Sequence, residues 1–354
     1  MKKLISLFLP LFMILSLTSC KNSAENTTAE TTAATSAVTS EVTEEPEKMI
    51  DGGFSVNGTK LLDANGNEFI FRGINHAHSW FAQFDSEALD AIAATGANSV
   101  RIVLANGIQW QTDSVETIKR LVDKCRSLNM IAVLEVHDGT GDDSIETLEK
   151  ICEYWITVKD ALIGNEAYAI LNIANEWTGK WDSTRWRDGY VSVIPKLREA
   201  GIKNTIMVDS AGWGQYAKCI GDYGAEVFNS DPDRNTMFSV HMYGTAGKNQ
   251  ETIRTNIEYA TSQELCICVG EFGYNHSDGD VDEAYIMQYC EENGIGYMAW
   301  SWKGNGGGVE YLDISARWDG SELSPDWGEP LINGENGIKA TSKLCTIFEK
   351  YPPA

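Results

Sequence analysis

Ala169-Ile-Leu-Asn-Ile-Ala-Asn-Glu-Trp177 begins as a short apolar run and ends in two polar residues and an indole. The run has the character of a strand buried in a parallel sheet. Its ending does not: a buried strand gains nothing from Glu176, because an unpaired buried charge is expensive. At the C-terminal face of an α/β barrel, that lip is where functional residues gather. Cys266-Ile-Cys-Val-Gly-Glu271-Phe272 has the same form. Either glutamate alone has an ordinary explanation as a salt-bridged structural carboxylate.

Outward from these two stretches the chain alternates strand-like and helix-like segments. The apolar runs are Phe69–Asn75, Ser99–Leu104, Ile131–His137, Ala169–Glu176, Thr205–Ser210, Met237–Tyr243, Cys266–Phe272 and Tyr297–Trp302. Their spacing is close to the roughly 31 residues per unit expected when about 250 residues make eight βα units. Helices fill the gaps. The clearest is Asp113–Asn129, where Val115, Ile118, Leu121, Val122, Cys125 and Leu128 recur at three- and four-residue steps. Ser144–Val158 and Val281–Glu292 are similar, and Ser342–Tyr351 is expected to be the last barrel helix. A hairpin over Gly58–Asn67, turning at Asn65-Gly66, is expected to plug the barrel bottom. The predicted class is α/β, a single (β/α)8 barrel with a short N-terminal β-hairpin. An open doubly wound sheet is the structural competitor. No glycine-rich phosphate loop follows the first strand, so nothing supports a nucleotide site there.

The N-terminus reads differently. Lys2 and Lys3 precede the apolar stretch Leu4–Leu17, the pattern of an export signal. Leu17-Thr-Ser-Cys20 resembles the lipobox of bacterial lipoproteins, which implies cleavage before Cys20 and lipidation of its thiol. An ordinary secretory signal is the alternative. Residues 21–49 are Thr, Ala, Ser and Glu with one proline and no aromatic, a flexible tether. The expected organisation is residues 1–20 signal peptide, 21–49 linker and 50–354 one catalytic domain on the cell surface. Membrane contact is expected only through the lipid.

Composition narrows the partners. The 354-residue chain is 43% hydrophobic and 22% charged, with a formal net charge of -23. That acidity argues against nucleic acid, whose phosphates demand Lys/Arg surfaces. A neutral polymer would be indifferent to it. Eleven Trp invite a carbohydrate reading, although several must serve the core. Of the eight Cys, Cys266 and Cys268 share a strand face, and Cys125, Cys152, Cys290 and Cys345 fall on apolar helical faces. No essential disulfide framework is expected, and no cluster has metal-ligand spacing.

The ends of the predicted strands carry Arg101, His137-Asp138, Asn175-Glu176-Trp177, His241 with Tyr243, Glu271, and Trp300 with Trp302. Singly each has a dull explanation. Together on one face, two carboxylates with aromatic and polar company are the minimum equipment for cleaving a glycosidic bond.

At this point the chain resembles glycoside hydrolase family 5, in its bacterial endo-β-1,4-mannanase branch. Seven ordered blocks carry the resemblance: Phe71-Arg-Gly-Ile-Asn-His-Ala-His-Ser-Trp80, Leu134-Glu-Val-His-Asp-Gly-Thr-Gly141, Ile173-Ala-Asn-Glu-Trp177, Val208-Asp-Ser-Ala-Gly-Trp-Gly-Gln215, Ser239-Val-His-Met-Tyr-Gly-Thr-Ala246, Val269-Gly-Glu-Phe-Gly273 and Ala299-Trp-Ser-Trp-Lys-Gly-Asn305. The resemblance implies a retaining double displacement, with Glu176 as general acid/base and Glu271 as nucleophile. It implies that Tyr243 and Arg101 favour the anion of Glu271 and that Asn175 bonds a sugar 2-hydroxyl. His137 and His241 would line the subsite before the scissile bond, and Trp300 would be the platform beneath that sugar. Trp177 would face the leaving group, with Trp302, Trp80 and Trp213 as weaker candidates. The implied substrate is a β-mannan polysaccharide or oligosaccharide, hydrolysed by a monomer with no metal or organic cofactor. The rivals are an endo-β-1,4-glucanase on the same fold and a non-catalytic carbohydrate-binding lipoprotein.

Overall fold

The computed structural model describes residues 52–349. The expected signal peptide, Cys20 and the linker lie outside these residues. Eight parallel strands close into a barrel. They are β1 (Arg72–His76), β2 (Ser99–Leu104), β3 (Ile131–Val136), β4 (Ala169–Asn172), β5 (Ile206–Asp209), β6 (Thr236–Met242), β7 (Ile267–Phe272) and β8 (Gly296–Ala299). β8 pairs with both β1 and β7, which closes the ring and removes the open-sheet alternative. Among the described residues no helix is long and apolar enough to cross a membrane.

Each strand reads as a near-continuous apolar run because it is covered on both sides. Outward residues such as Val100, Ile102, Leu134, Leu171, Val208 and Val240 pack under the surrounding helices. Helix Val115–Ser127 shows how these helices are specified. Ser114 caps it by accepting the Thr117 amide at 3.2 Å, and Ile118, Leu121, Val122 and Cys125 form its buried stripe. Asp113, expected inside this helix, instead bonds the Ala105 amide at 2.9 Å.

The inward residues at the lower end form a second apolar cluster. Ile131, Val133, Ile170, Met207, Met237, Cys266, Cys268 and Met298 meet Phe54, Leu61, Phe69 and Phe71 from the N-terminal segment. That segment plugs the barrel but turns twice rather than once. Ser55–Asn57 pairs with Lys60–Leu62 across Gly58, which sits at φ 59° where glycine is favoured. Leu62 then bridges Glu68 around the Asn65-Gly66 turn.

The C-terminal expectation is corrected. The barrel is followed by short helices Gly328–Asn333 and Ile338–Thr341, and residues 342–349 hold only a 3-10 turn, Thr346–Phe348. The Asp63 carboxylate accepts from the Thr346 amide at 3.1 Å and from its hydroxyl, drawing the segment across the plug instead of into a helix. Cys345 is therefore not helical, although it is buried; the seven cysteines of the described region are all free and buried.

Candidate active site

At the upper end of the barrel the inward residues are polar, and they converge on Arg101. Its five N–H groups are all committed. Nε donates to Asn172 Oδ1 at 2.9 Å, and Nη1 to Asn75 Oδ1 at 3.0 Å and Glu271 Oε1 at 2.6 Å. Nη2 donates to Asn175 Oδ1 at 2.8 Å and Asp209 Oδ2 at 3.2 Å. One wholly buried guanidinium thus ties together β1, β4, β5, β7 and the loop after β4. Burial opposes its charge, but the carboxylates of Glu135, Asp209 and Glu271 more than offset this and raise its pKa.

Glu271 reaches this cluster through a β-bulge. Cys268 pairs opposite Ser239 and Val269 opposite Val240, but His241 pairs with Glu271, leaving Gly270 as the extra residue. Simple alternation from Cys266 and Cys268 would have put Glu271 on the outward face; the bulge returns it inward. Glycine fits there without strain, whereas a Cβ would stand 2.1 Å from Ser239 Oγ and force a shift. The second oxygen of Glu271 accepts the Tyr243 hydroxyl at 2.9 Å.

Glu176 lies beyond its strand. β4 ends at Asn172, short of the expected Glu176, and Glu176 takes a left-handed φ of 46°. Its amide donates to Asp209 Oδ2 at 3.1 Å and its Oε1 meets His241 Nδ1 at 2.8 Å. Burial raises the Glu176 pKa, with Glu271 adding to the rise and His241 working against it. Burial alone would lower the pKa of His241, but Glu271 and Asp209 beside it, with its hydrogen-bonded carboxylate partners, push it up to about 10.

Glu176, His241 and Glu271 each bring one ligand-type atom within 4.8 Å of the others. His241 Nδ1 is committed to Glu176, and the surrounding carboxylates favour the cationic form of the ring, which has no lone pair for a metal. The trio is an ion-pair network, with one carboxyl fixed by donors and the other biased toward protonation.

A cleft of about 460 Å³ opens above this network. Of the residues expected from the sequence, His137, Asn175, Glu176, Tyr243, Glu271, Trp213 and Trp300 line it. His137 stacks on Trp300 at 5.6 Å and 24°, its Nδ1 held by Glu135 at 2.9 Å. Asn175 Nδ2 donates to Thr140 Oγ1 at 2.8 Å. Trp80 lies outside the lining and meets His137 edge-on at 5.1 Å.

Three expected substrate contacts are corrected, while Arg101 holds its expected place beside Glu271. Arg101 and His241 are wholly buried beneath the cleft, and Arg101 has no donor left for a ligand. Trp177 is wholly buried, its Nε1 bonded to the Ser144 carbonyl at 2.9 Å and its ring edge-on to Tyr190. Trp302 is also buried, with Nε1 bonded to the Trp318 carbonyl at 2.9 Å. Trp300 and Trp302 would share a face on a continuing strand, but β8 stops at Ala299 and their directions diverge.

Several lining or supporting residues escaped the sequence reading. Glu135 and Asp209 are buried carboxylates flanking Arg101. Both fall on the inward parity of their strands, two residues above Val133 and Met207, which was the available signal. Trp181, 51% exposed, lines the cleft with Trp213, 48% exposed. An indole in the polar stretch Thr178-Gly-Lys-Trp181-Asp was its signal. His276 and Asp278 come from a small hairpin after β7 that no sequence pattern announced.

Comparisons with known proteins agree with this geometry. The family model described as cellulase (glycosyl hydrolase family 5) matches residues 62–306. A mannan endo-1,4-β-mannosidase of Salipaludibacillus agaradhaerens is 52% identical over 296 residues, covering 84% of this chain and 96% of that relative. One from Streptomyces lividans is 42% identical over 301 residues, covering 84% and 78%. The structure of Thermomonospora fusca β-mannanase with mannohexaose superposes with a TM-score of 0.78 at 39% identity, covering 84% of this chain and 99% of that one.

Proposed function

This chain belongs to glycosyl hydrolase family 5, and from that premise we propose that it cleaves internal β-1,4-mannosidic bonds with Glu271 as nucleophile and Glu176 as acid/base. The observation that carries the reading is the unequal treatment of two carboxyls with oxygens within 4.8 Å of each other. That separation suits a retaining enzyme, whose carboxyl groups stand about 5–5.5 Å apart.

In the first displacement Glu271 attacks the anomeric carbon while Glu176 gives its proton to the departing glycosidic oxygen. An ester to Glu271 forms and the leaving-side fragment departs as an alcohol. Esterification removes one negative charge beside Glu176, which then accepts a proton from water as that water attacks the same carbon. Glu271 is released as a carboxylate and the β configuration is retained. His241 supports the cycle from below by donating to Glu176. Asn175, fixed by Arg101 and Thr140 at the cleft lining, is assigned to the sugar 2-hydroxyl. The stacked His137–Trp300 pair and the half-exposed indoles of Trp213 and Trp181 all line the cleft, flat surfaces suited to sugar rings.

Mannan rather than glucan is supported by the names of the relatives that cover most of the chain. The test is reducing-sugar release from linear mannan and from carboxymethylcellulose by protein lacking residues 1–49. Strong release from mannan and little from the cellulose is expected; the reverse would transfer the mechanism to β-glucan. Proton NMR should show initial release of the β anomer. Glu271→Ala should be inactive and, with azide, should yield an α-glycosyl azide.

The pattern of Lys2, Lys3, Leu4–Leu17 and Cys20 supports a further proposal, that the enzyme is exported and tethered through a lipid on Cys20. Cys20→Ser should move it from the membrane fraction to the soluble one.

A further inference from the structure

The hairpin Asn275–His276/Gly279–Asp280 plays no part in the mechanism above, yet its His276 and Asp278 line the cleft. The His276 ring lies against Tyr243, 4.5 Å between centroids and tilted by 32°. Its Nδ1 is held by Asp278 Oδ1 at 2.9 Å. The same carboxylate accepts the amides of Gly244 at 3.0 Å and Thr245 at 2.9 Å, and Gln215 Nε2 at 3.1 Å. Gly244 can have no side chain, because a Cβ would fall 2.4 Å from the Gly279 amide nitrogen. The loops after β5, β6 and β7 are thus knitted at Asp278, directly after the residue that donates to Glu271.

We propose that His276 and Asp278 are positioning residues: Asp278 clamps the backbone following Tyr243, and the His276 ring holds the phenol so that its hydroxyl meets Glu271. Tyr243 is otherwise a long side chain whose hydroxyl must be placed to a few tenths of an ångström. A displacement of the order of 1 Å at a reacting group can cost about 100-fold in rate. The assignment rests on the proposed roles of Tyr243 and Glu271.

The experiment measures kcat and KM on mannohexaose, with the thermal midpoint of every variant. His276→Ala should lower kcat about 10-fold or more with KM within about 2-fold. His276→Phe, which keeps a ring against Tyr243, should recover most of that loss. Asp278→Asn should shift kcat in the same direction with the ring still present. The decisive arm is a double-mutant cycle: in a Tyr243→Phe background, His276→Ala should cost nothing further, because the group it positions is gone. An undiminished loss in that background would overturn the proposal. So would a raised KM with unchanged kcat, which would make His276 a sugar contact, or kinetics identical to the parent. Failure of the underlying reading looks different, since the parent protein itself would then not cleave mannohexaose.

Discussion

The lower and upper ends of this barrel are built from the same strands and hold opposite kinds of side chain. On β3 the inward positions step from Val133 to Glu135, on β4 from Ile170 to Asn172, and on β5 from Met207 to Asp209. One pleat separates an interior of aliphatic, aromatic and sulfur-bearing groups from an interior of ions. Burying each large apolar side chain of the plug is worth about 1.5–3 kcal/mol. The upper layer has no such return. It holds one guanidinium among the carboxylates of Glu135, Asp209 and Glu271, and a buried ion pair roughly breaks even only when every donor is satisfied. The barrel is thus stabilised from below and made reactive from above, and substitutions should separate the two.

The largest effect is expected at Glu176. Glu176→Gln should lower kcat by about 10²–10⁴-fold, the usual worth of a general acid/base. It should not unfold the protein. Because the folded state raises the Glu176 pKa, its contribution to stability is present below the ordinary carboxyl value and is lost as pH rises through the raised one. Glutamine cannot ionise, so denaturant melts should show the variant gaining on the parent as pH rises from the ordinary carboxyl value through the raised one. A variant that loses ground with pH would mean that the upper layer favours the charged carboxylate after all.

Arg101→Met removes the only guanidinium among three buried carboxylates. A loss of about 3–5 kcal/mol is expected, as for breaking a buried pair from one side. The deficit should shrink as pH falls, since the stranded carboxylates can then take up protons. Activity should fall with stability. Met207→Ala, one pleat below Asp209, should cost a comparable or slightly smaller amount, about 2–5 kcal/mol. Its deficit should not vary with pH, and kcat should stay within about 2-fold at temperatures where it remains folded. Similar losses of stability with opposite consequences for pH dependence and turnover would sharpen the division between the two ends; matching behaviour would erase it.

Much of this division was legible in the chain. The eight runs announced themselves because outward residues such as Val100, Leu134 and Val208 are apolar wherever a helix covers them. Helix Val115–Ser127 was legible from its spacing, although its start at the Ser114 cap was not. The two glutamates stood out as charges that packing could not explain. What stayed hidden depends on partners distant in sequence. Glu135 and Asp209 are ordinary acids until Arg101 is placed between them. Trp177 reads as a residue facing the leaving group until Tyr190 and Gly189 close over it; a Cβ at Gly189 would lie 2.2 Å from its ring. The segment at residues 342–349 looks helical until Asp63 takes hold of Thr346.

The subtlest of these hidden features is the direction of Glu271, and it supports the smallest of the predicted effects. Counting pleats from Cys266 and Cys268 points Glu271 outward, beneath the helices, where its charge would have no partner. The extra residue Gly270 corrects the count, and it fits because its missing side chain makes room for Ser239 Oγ and, 3.4 Å from where a Cβ would stand, His241 Nε2. Gly270→Ala should cost only about 1–3 kcal/mol, the range for overpacking a tight site. Its effect on kcat should be out of proportion, because the easiest relief from the 2.1 Å contact is to shift the bulge that aims the nucleophile. Adding Ser239→Gly removes the opposing hydroxyl and should restore most of the rate without touching Glu271. If Gly270→Ala alone turns over like the parent, the bulge is not what aims Glu271. The two ends of the barrel would then differ only in which side chains fill them, and not in how the backbone presents them.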